Sequence, residues 1–202
     1  MIIDKKTYPT NNHYKPNDVK SQIIINFSQR SGHNHIIRQN NREYGKSMKW
    51  NSYTVARDGI IYEHFNPSKH SDFLGDKKLD SMSINITVEN FCSLIKENDR
   101  YYSWLNEECD IDRVGIRKYN TFNYWETIDE NQIISLSELC IKLCDDFKII
   151  NNCIEFDSYN STISKYKGIV FYSNYIENSG NINPFFDIDK FNKLLKNNIA
   201  VV

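Results

Sequence analysis

The segment WNSYTVARDGIIYEHF, residues 50–65, contains the clearest local structural signal in the chain. Two apolar runs, residues 50–55 and 60–65, flank the tetrapeptide ARDG at 56–59. An Asp-Gly pair between such runs favours a tight turn, because its central residues readily adopt positive φ. The segment therefore predicts a β-hairpin.

Further strands are predicted on both sides of this hairpin. Short runs rich in β-branched residues occur at 23–27, 82–88 and 167–172, and their lengths are typical of buried strands. Together with the hairpin, these runs indicate one β-sheet assembled from distant parts of the chain.

Helices are predicted between and after the strands. From Glu130 onward, apolar residues recur at helical spacing, which predicts a long amphipathic helix. Residues 33–45 predict a shorter helix, and Pro184 and Asp187 open a last one. The fold class expected is therefore α/β (α+β), with a central mixed sheet flanked by helices.

The 202 residues suit one domain, which we expect to span 21–202 after a polar N-terminal arm at 1–20. An aromatic-rich insertion at about 91–130 shows no clean periodicity. It either packs its aromatic residues on the domain or docks on a partner. Its candidate interface residues are Tyr101, Tyr102, Trp104, Tyr119, Tyr124 and Trp125.

Composition limits the functions to be considered. Twenty-five basic residues against 26 acidic ones give a net charge of −1, which argues against a nucleic-acid binder. The first residues lack the apolar core of a signal peptide, and no apolar run of 18 residues predicts a membrane span. Five cysteines without Cys-x-x-Cys spacing indicate reduced thiols and assembly in a cytoplasm.

Two local motifs favour ordinary structural roles. His33 and His35 lack the further ligands that zinc requires at a recognisable spacing, so we expect them at the surface or at a helix start. Cys140 and Cys144 lie on the apolar stripe of the long helix, where a buried thiol packs as a small hydrophobic group.

Four segments together resemble one enzyme family. Residues 22–28 (QIIINFS) match a strand that reads V-I-H-H-T/S, and residues 37–59 match a helix and a hairpin ending in R-D-G. Residues 83–90 (SINITVEN) match S-I-G-I-E-L-x-N, and residues 169–191 match a closing G-H-x-D…D-P segment. This order resembles the zinc-dependent N-acetylmuramoyl-L-alanine amidases of the type-2 or peptidoglycan-recognition-protein fold, over most of residues 21–195.

The resemblance also implies that the catalytic chemistry is lost. Active members bind zinc through two histidines and a cysteine or aspartate; the matching positions are Asn26, at or near Tyr172, and Asn183. The catalytic tyrosine falls at Asn51, and a loop lysine falls near Asn181. Amides and phenols are poor zinc ligands, so we expect no catalytic residue, no metal site and no cofactor.

The expected function is that of a pseudoenzyme. The aromatic segment and the C-terminal segment resemble amidase-like proteins of large T4-like tailed phages, which implies a structural part of a virion tail or baseplate, assembled in the host cytoplasm beside other virion proteins. A peptidoglycan-binding module, or an active zinc amidase in cell-wall lysis, is the alternative. The candidate vestigial groove comprises Asn26, Asn51, Tyr53, Tyr172, Asn181 and Asn183.

Overall fold

A computed structural model describes residues 1–15, 18–156, 158–177 and 182–197. In this part of the chain the strands are β1 (Ile3–Asp4), β2 (Gln22–Phe27), β3 (Tyr53–Val55), β4 (Ile61–Glu63), β5 (Ser83–Val88), β6 (Ser93–Glu97), β7 (Arg100–Tyr102), β8 (Glu108–Cys109), β9 (Val114–Tyr119), β10 (Phe122–Glu126) and β11 (Gly168–Phe171). The helices are α1 (Gly32–Asn41), α2 (Lys77–Met82), α3 (Glu130–Phe147) and α4 (Ile188–Asn197).

The main β-sheet has six strands in the order β1-β4-β3-β5-β2-β11. Strand β2 runs parallel to β5 on one side and to β11 on the other. All six residues of β2 are buried, as expected for a parallel strand covered on both faces. The predicted mixed sheet flanked by helices is confirmed.

Alternation along β2 separates the two layers beside the sheet. Ile23 and Ile25 belong to the main core with α3, whereas Ile24 packs in a smaller cluster with Ile163 and Val170 on the opposite face. Successive side chains of a strand point to opposite faces. Asn26, one alternation after Ile24, therefore faces away from α3.

The predicted hairpin is formed by β3 and β4, which pair antiparallel with Val55 opposite Ile61. Gly59 closes the turn with a φ of +86°. A Cβ atom there would lie 3.0 Å from Ser135 Oγ and 3.1 Å from the Asn131 carbonyl oxygen of α3. Both the positive φ and this close approach favour glycine.

The long amphipathic helix is confirmed as α3. Its residues Leu136, Cys140 and Cys144 are buried in the main core against the sheet, so both cysteines have the packing role that their spacing predicted. The N-terminal arm contributes β1, a short edge strand that pairs parallel with β4. Within the described residues, no helix is long and apolar enough to cross a membrane.

The insertion is a second, regular sheet rather than an irregular excursion. The five strands β6 to β10 are joined by four antiparallel pairings in the order β8-β7-β6-β10-β9. Sharp turns join neighbouring strands: Asn98 and Asn120 both have positive φ. We call this unit the inserted sheet.

A buried ion-pair network fastens the inserted sheet to the hairpin. The fully buried Glu126 accepts from Arg57 Nε at 2.6 Å and from Arg113 Nε at 3.0 Å. Arg57 also pairs with Glu89 at the end of β5. Glu89 in turn accepts from the Gly32 amide at 2.6 Å, at the start of α1. One network thus joins α1, the hairpin turn and the inserted sheet.

Candidate functional site

A polar groove of about 290 Å³ opens where β2 ends, beside α1. We call it the β2 groove. Its lining includes Asn26, Arg30, His35, Arg38, Gln39, Arg42, Lys49, Phe73 and Tyr172. The sequence-predicted residues Asn26 and Tyr172 therefore do lie at one site.

Asn26 lines this groove, and only one of the two polar atoms of its side-chain amide forms a hydrogen bond. Its Nδ2 donates to Thr87 Oγ1 at 3.3 Å, whereas its Oδ1 has no hydrogen-bond partner in the described part of the chain. The side chain is only 9% exposed. A buried acceptor without a partner costs free energy, so this oxygen is available to a ligand.

Tyr172 lies across the groove from Asn26, just after β11. It is half-buried, and burial raises the pKa of its phenol. Its ring meets Phe73 edge-to-face, with centroids 6.0 Å apart. The two rings give one side of the groove an aromatic wall.

Asn51 lies behind the groove, fully buried, in a chain of polar side chains. Its Oδ1 accepts from His35 Nε2 at 3.1 Å, and its Nδ2 donates to Thr54 Oγ1 at 2.8 Å. Thr54 donates in turn to His64 Nε2 at 2.8 Å, and His64 Nδ1 donates to the Tyr8 carbonyl at 2.8 Å. An amide oxygen and a carbonyl can only accept, which fixes the tautomer of each neutral histidine.

Both histidines are held neutral. Burial lowers the pKa of His35 to about 4, although the hydrogen bond that His35 donates to Asn51 opposes this. Burial likewise lowers the pKa of His64 to about 4. As expected, His33 is exposed and His35 lies in the first turn of α1; in addition, the ring of His35 contacts Asn51.

Two other predicted groove residues lie elsewhere. Tyr53 is buried in the main core on the α3 face, where its hydroxyl donates to Glu63 Oε2 at 3.1 Å. Asn183 is fully buried, and its Nδ2 donates to Asn90 Oδ1 at 2.6 Å and to the Glu126 carbonyl at 2.8 Å. Placing these two in the groove is therefore incorrect; Asn181 lies outside the described residues.

Four cations converge on the β2 groove, a feature the sequence analysis missed. Arg30, Arg38, Arg42 and Lys49 all line it. His35, Arg38 and Arg42 are spaced i, i+3 and i+7 along α1 and its C-terminal end, which places them on one face of a helix. That spacing was visible in the sequence and could have identified the cationic side.

The predicted interface residues divide between the two faces of the inserted sheet. Tyr101 and Tyr124 pack with Phe91, Leu94 and Cys109 in a separate small core. Trp125 is buried in the main core. Tyr101 is therefore a core residue of the inserted sheet, whereas Trp125 belongs to the main core and also lines the groove described next.

The other face of the inserted sheet carries an apolar groove of about 360 Å³. Trp104, which is 54% exposed, and Tyr119 line it, together with the exposed Ile95 and Phe122. We call it the aromatic groove. Tyr102 is half-buried and pairs with Ile95 across β6 and β7, so it lies on this face.

The zinc ion implied by the sequence resemblance does not fit these residues. Asn26 and Tyr172 offer an amide and a phenol, and His35 already uses its Nε2 on Asn51. Asn183 is held by Asn90, away from the lining of the groove. Across the described ranges, no group of three or more His, Cys, Asp or Glu side chains is arranged to hold a metal. Zinc sites need neutral imidazoles and anionic ligands, which this donor set does not supply.

No protein-family model matches the sequence, and no curated protein matches it. Solved structures do share its architecture. The N-acetylmuramoyl-L-alanine amidase LysC from Clostridium intestinale URNW is 11% identical, with a TM-score of 0.53 over 96% of this chain and 95% of the other. The Staphylococcus aureus hydrolase AmiA, in complex with its ligand, is 12% identical, with a TM-score of 0.52 over 96% and 80%.

A third solved structure with this architecture also contains a ligand. Pseudomonas aeruginosa AmpDh3, in complex with anhydromuramic pentapeptide, is 11% identical, with a TM-score of 0.54 over 96% of this chain and 66% of the other. The chain therefore has the fold of the N-acetylmuramoyl-L-alanine amidases. At such low identity the likeness is one of fold, and it confirms the fold that the four sequence segments indicated.

Proposed function

We propose that this chain is a non-catalytic amidase-fold protein that acts by binding. The proposal rests on the side chains that the β2 groove offers as metal ligands. An amide at Asn26, a phenol at Tyr172 and a histidine committed to Asn51 cannot replace imidazole and thiolate ligands. Without a bound metal, a water molecule is not activated for attack on an amide at neutral pH.

Digestion of purified peptidoglycan sacculi tests this proposal. We expect no release of soluble fragments by the full chain, with or without added zinc, and no stoichiometric zinc in the purified protein by elemental analysis. An active amidase of this fold, assayed in parallel, shows that the substrate is competent. Release that disappears on chelation would overturn the proposal.

The same assay addresses a second candidate function, peptidoglycan binding. Two features of the β2 groove favour peptidoglycan binding. Asn26 Oδ1 has no hydrogen-bond partner among the described residues, and Tyr172 and Phe73 form an aromatic wall. Amides and aromatic rings are common sugar-binding groups. The solved AmpDh3 structure contains an anhydromuramic pentapeptide. Retention of the intact protein on sacculi, without release of fragments, would support this candidate.

We further propose that the protein is a structural component of a phage tail or baseplate, held there through the aromatic groove. Support comes from Ile95, Trp104 and Phe122, large apolar side chains exposed side by side on one face. Interface centres are enriched in aromatic residues. The partner would be another virion protein with a complementary apolar surface.

Replacing Ile95 by glutamate is expected to reduce incorporation into virions at least about tenfold, because a charge buried in an apolar contact costs several kcal/mol. Ile95 is 48% exposed within the aromatic groove. The matched control is Ile116→Glu: Ile116 is 74% exposed on the opposite face of the same sheet, across from Tyr124. Quantitative immunoblotting of purified particles measures both. Equal incorporation of the two variants would contradict the assignment of this face.

A further inference from the structure

The cations of the β2 groove lack acidic counterparts. Arg30, Arg38, Arg42 and Lys49 line it, and none of the aspartates and glutamates that the structure describes does. Across the described residues, none of the four side chains forms a salt bridge. Arg30 is buried and Arg42 is half-buried, whereas Arg38 and Lys49 are exposed. Like charges held close together repel one another unless an anion compensates them.

The three arginines are close enough to repel one another. Burial and then the charge of Arg38 lower the pKa of Arg30, and the same two causes act on Arg42. Arg30 is 7% exposed and lies over the Trp104 ring, 5.4 Å from its centroid. Its position is thus fixed by packing rather than by a carboxylate.

Two acidic side chains close to the arginines, Glu107 and Glu43, lie outside the lining of the groove. Glu107 favours the charged form of Arg30 and accepts hydrogen bonds from the Ser31 hydroxyl at 2.8 Å and from Asn34, but it does not line the groove. Glu43 favours the charged form of Arg42, yet it is exposed and does not line the groove. The lining of the groove is therefore positively charged, and its acidic neighbours stand outside it.

The geometry suits a compact anion with more than one negative charge. Arginine side chains present planar donor forks that match phosphate oxygens in pairs. Arg42 Nη1 donates to Gln39 Oε1 at 3.2 Å, which orients its guanidinium. The aromatic wall of Tyr172 and Phe73 stands on the lining of the same groove and offers an apolar surface to an organic group.

We propose that the β2 groove binds a small phosphate ester, with the phosphate held by Arg38 and Arg42 and the organic part against Tyr172 and Phe73. Arg30 and Lys49 add positive charge around it. This site touches the aromatic groove only where Arg30 lies over Trp104, and neither Arg38 nor Arg42 lines that groove. Phosphate binding involves no catalysis, so the experiment below tests it independently of the virion role and of the lack of hydrolysis.

Isothermal titration of the full chain with glycerol 3-phosphate, inorganic pyrophosphate and glycerol tests this inference. We expect the two phosphates to bind and glycerol not to bind, with affinity falling as salt is raised. Arg38→Gln and Arg42→Gln should each weaken phosphate binding about tenfold or more, as for loss of a charge-assisted hydrogen bond. The matched control is Arg100→Gln, which removes the same charge from an exposed pair with Glu108 on the inserted sheet.

Citrate separates phosphate recognition from simple charge attraction. Binding of citrate as strong as that of pyrophosphate would overturn the assignment to phosphate. Equal loss in Arg100→Gln and Arg38→Gln would overturn the assignment to this groove. Arg38 is exposed on α1, so its replacement leaves the core intact, and circular dichroism of each variant verifies folding. Failure of both phosphates to bind would also refute the proposal, whatever the sacculus and virion experiments show.

Discussion

Replacing Glu126 by alanine is expected to lower the free energy of unfolding by about 3–5 kcal/mol, as when one partner of a buried ion pair is removed. Glu126 is fully buried and accepts from Arg57 Nε at 2.6 Å, Arg57 Nη2 at 3.1 Å and Arg113 Nε at 3.0 Å. It also accepts from the Phe91 amide. Truncation leaves two guanidinium groups and one amide without this acceptor in a mostly buried position.

Urea denaturation followed by fluorescence measures this change. Glu108→Ala is the control, because Glu108 is 53% exposed and lies 3.5 Å from Arg100. An exposed pair of this kind contributes at most about 1 kcal/mol. If both variants unfolded at the same urea concentration as the unmodified protein, Glu126 would not be the anchor of the inserted sheet.

Acidification from pH 6.5 to pH 4 is expected to destabilise the protein through His35 and His64. Burial lowers the pKa of each from 6.5 to about 4. Over this window the unfolded chain binds protons that the folded chain does not, so the free energy of unfolding falls as pH falls. A shift of this size corresponds to about 3 kcal/mol per histidine. The stabilisation is fully present above pH 6.5.

Protonation of Asp80 changes the free energy of unfolding in the opposite direction from protonation of the two histidines. Burial raises its pKa from 3.8 to about 6, so protonation of the folded chain between pH 6 and pH 4 increases stability. This contribution is common to the protein and to its histidine variants. The difference between them therefore isolates the histidines.

Thermal unfolding of the His64→Gln variant between pH 7 and pH 4 measures the histidine effect. Glutamine stays neutral, so the variant should lose less stability on acidification than the unmodified protein, although it starts less stable at pH 7. His35→Gln should behave in the same way, and the double variant should show the flattest profile. Parallel profiles for all four proteins would show that neither histidine is held neutral by the fold.

The sequence predicted the elements whose signals are local. The Asp58-Gly59 turn, the apolar run at β2 and the spacing of α3 each report a structure formed within a few residues. The inserted sheet was missed because its strands are short and many of its side chains are exposed. Asn98 and Asp99 both have positive φ, and an Asn-Asp pair between strands is the signal that could have revealed the β6–β7 hairpin.

The site was harder to predict, because burial and the direction of a side chain depend on the whole fold. Matching the family motif placed Tyr53 near the groove, yet alternation in β3 turns Tyr53 and Val55 towards α3 and leaves Thr54 on the groove side. The sequence of α1 gave no sign that His35 contacts Asn51, because Asn51 is 16 residues further along the chain, just before β3. Asn26 and Tyr172 line the same groove because Asn26 lies near the end of β2 and Tyr172 directly follows the neighbouring parallel strand β11.

Both ends of the inserted sheet pack into the main core of the domain, so the sheet is not an appendage on a surface loop. Cys92 at its beginning and Trp125 at its end both belong to the main core, and Glu126 satisfies the arginine of the hairpin turn. Deleting residues 91–127 would therefore leave a cavity in the main core where Cys92 and Trp125 pack, and it would remove Glu126 as an acceptor for Arg57.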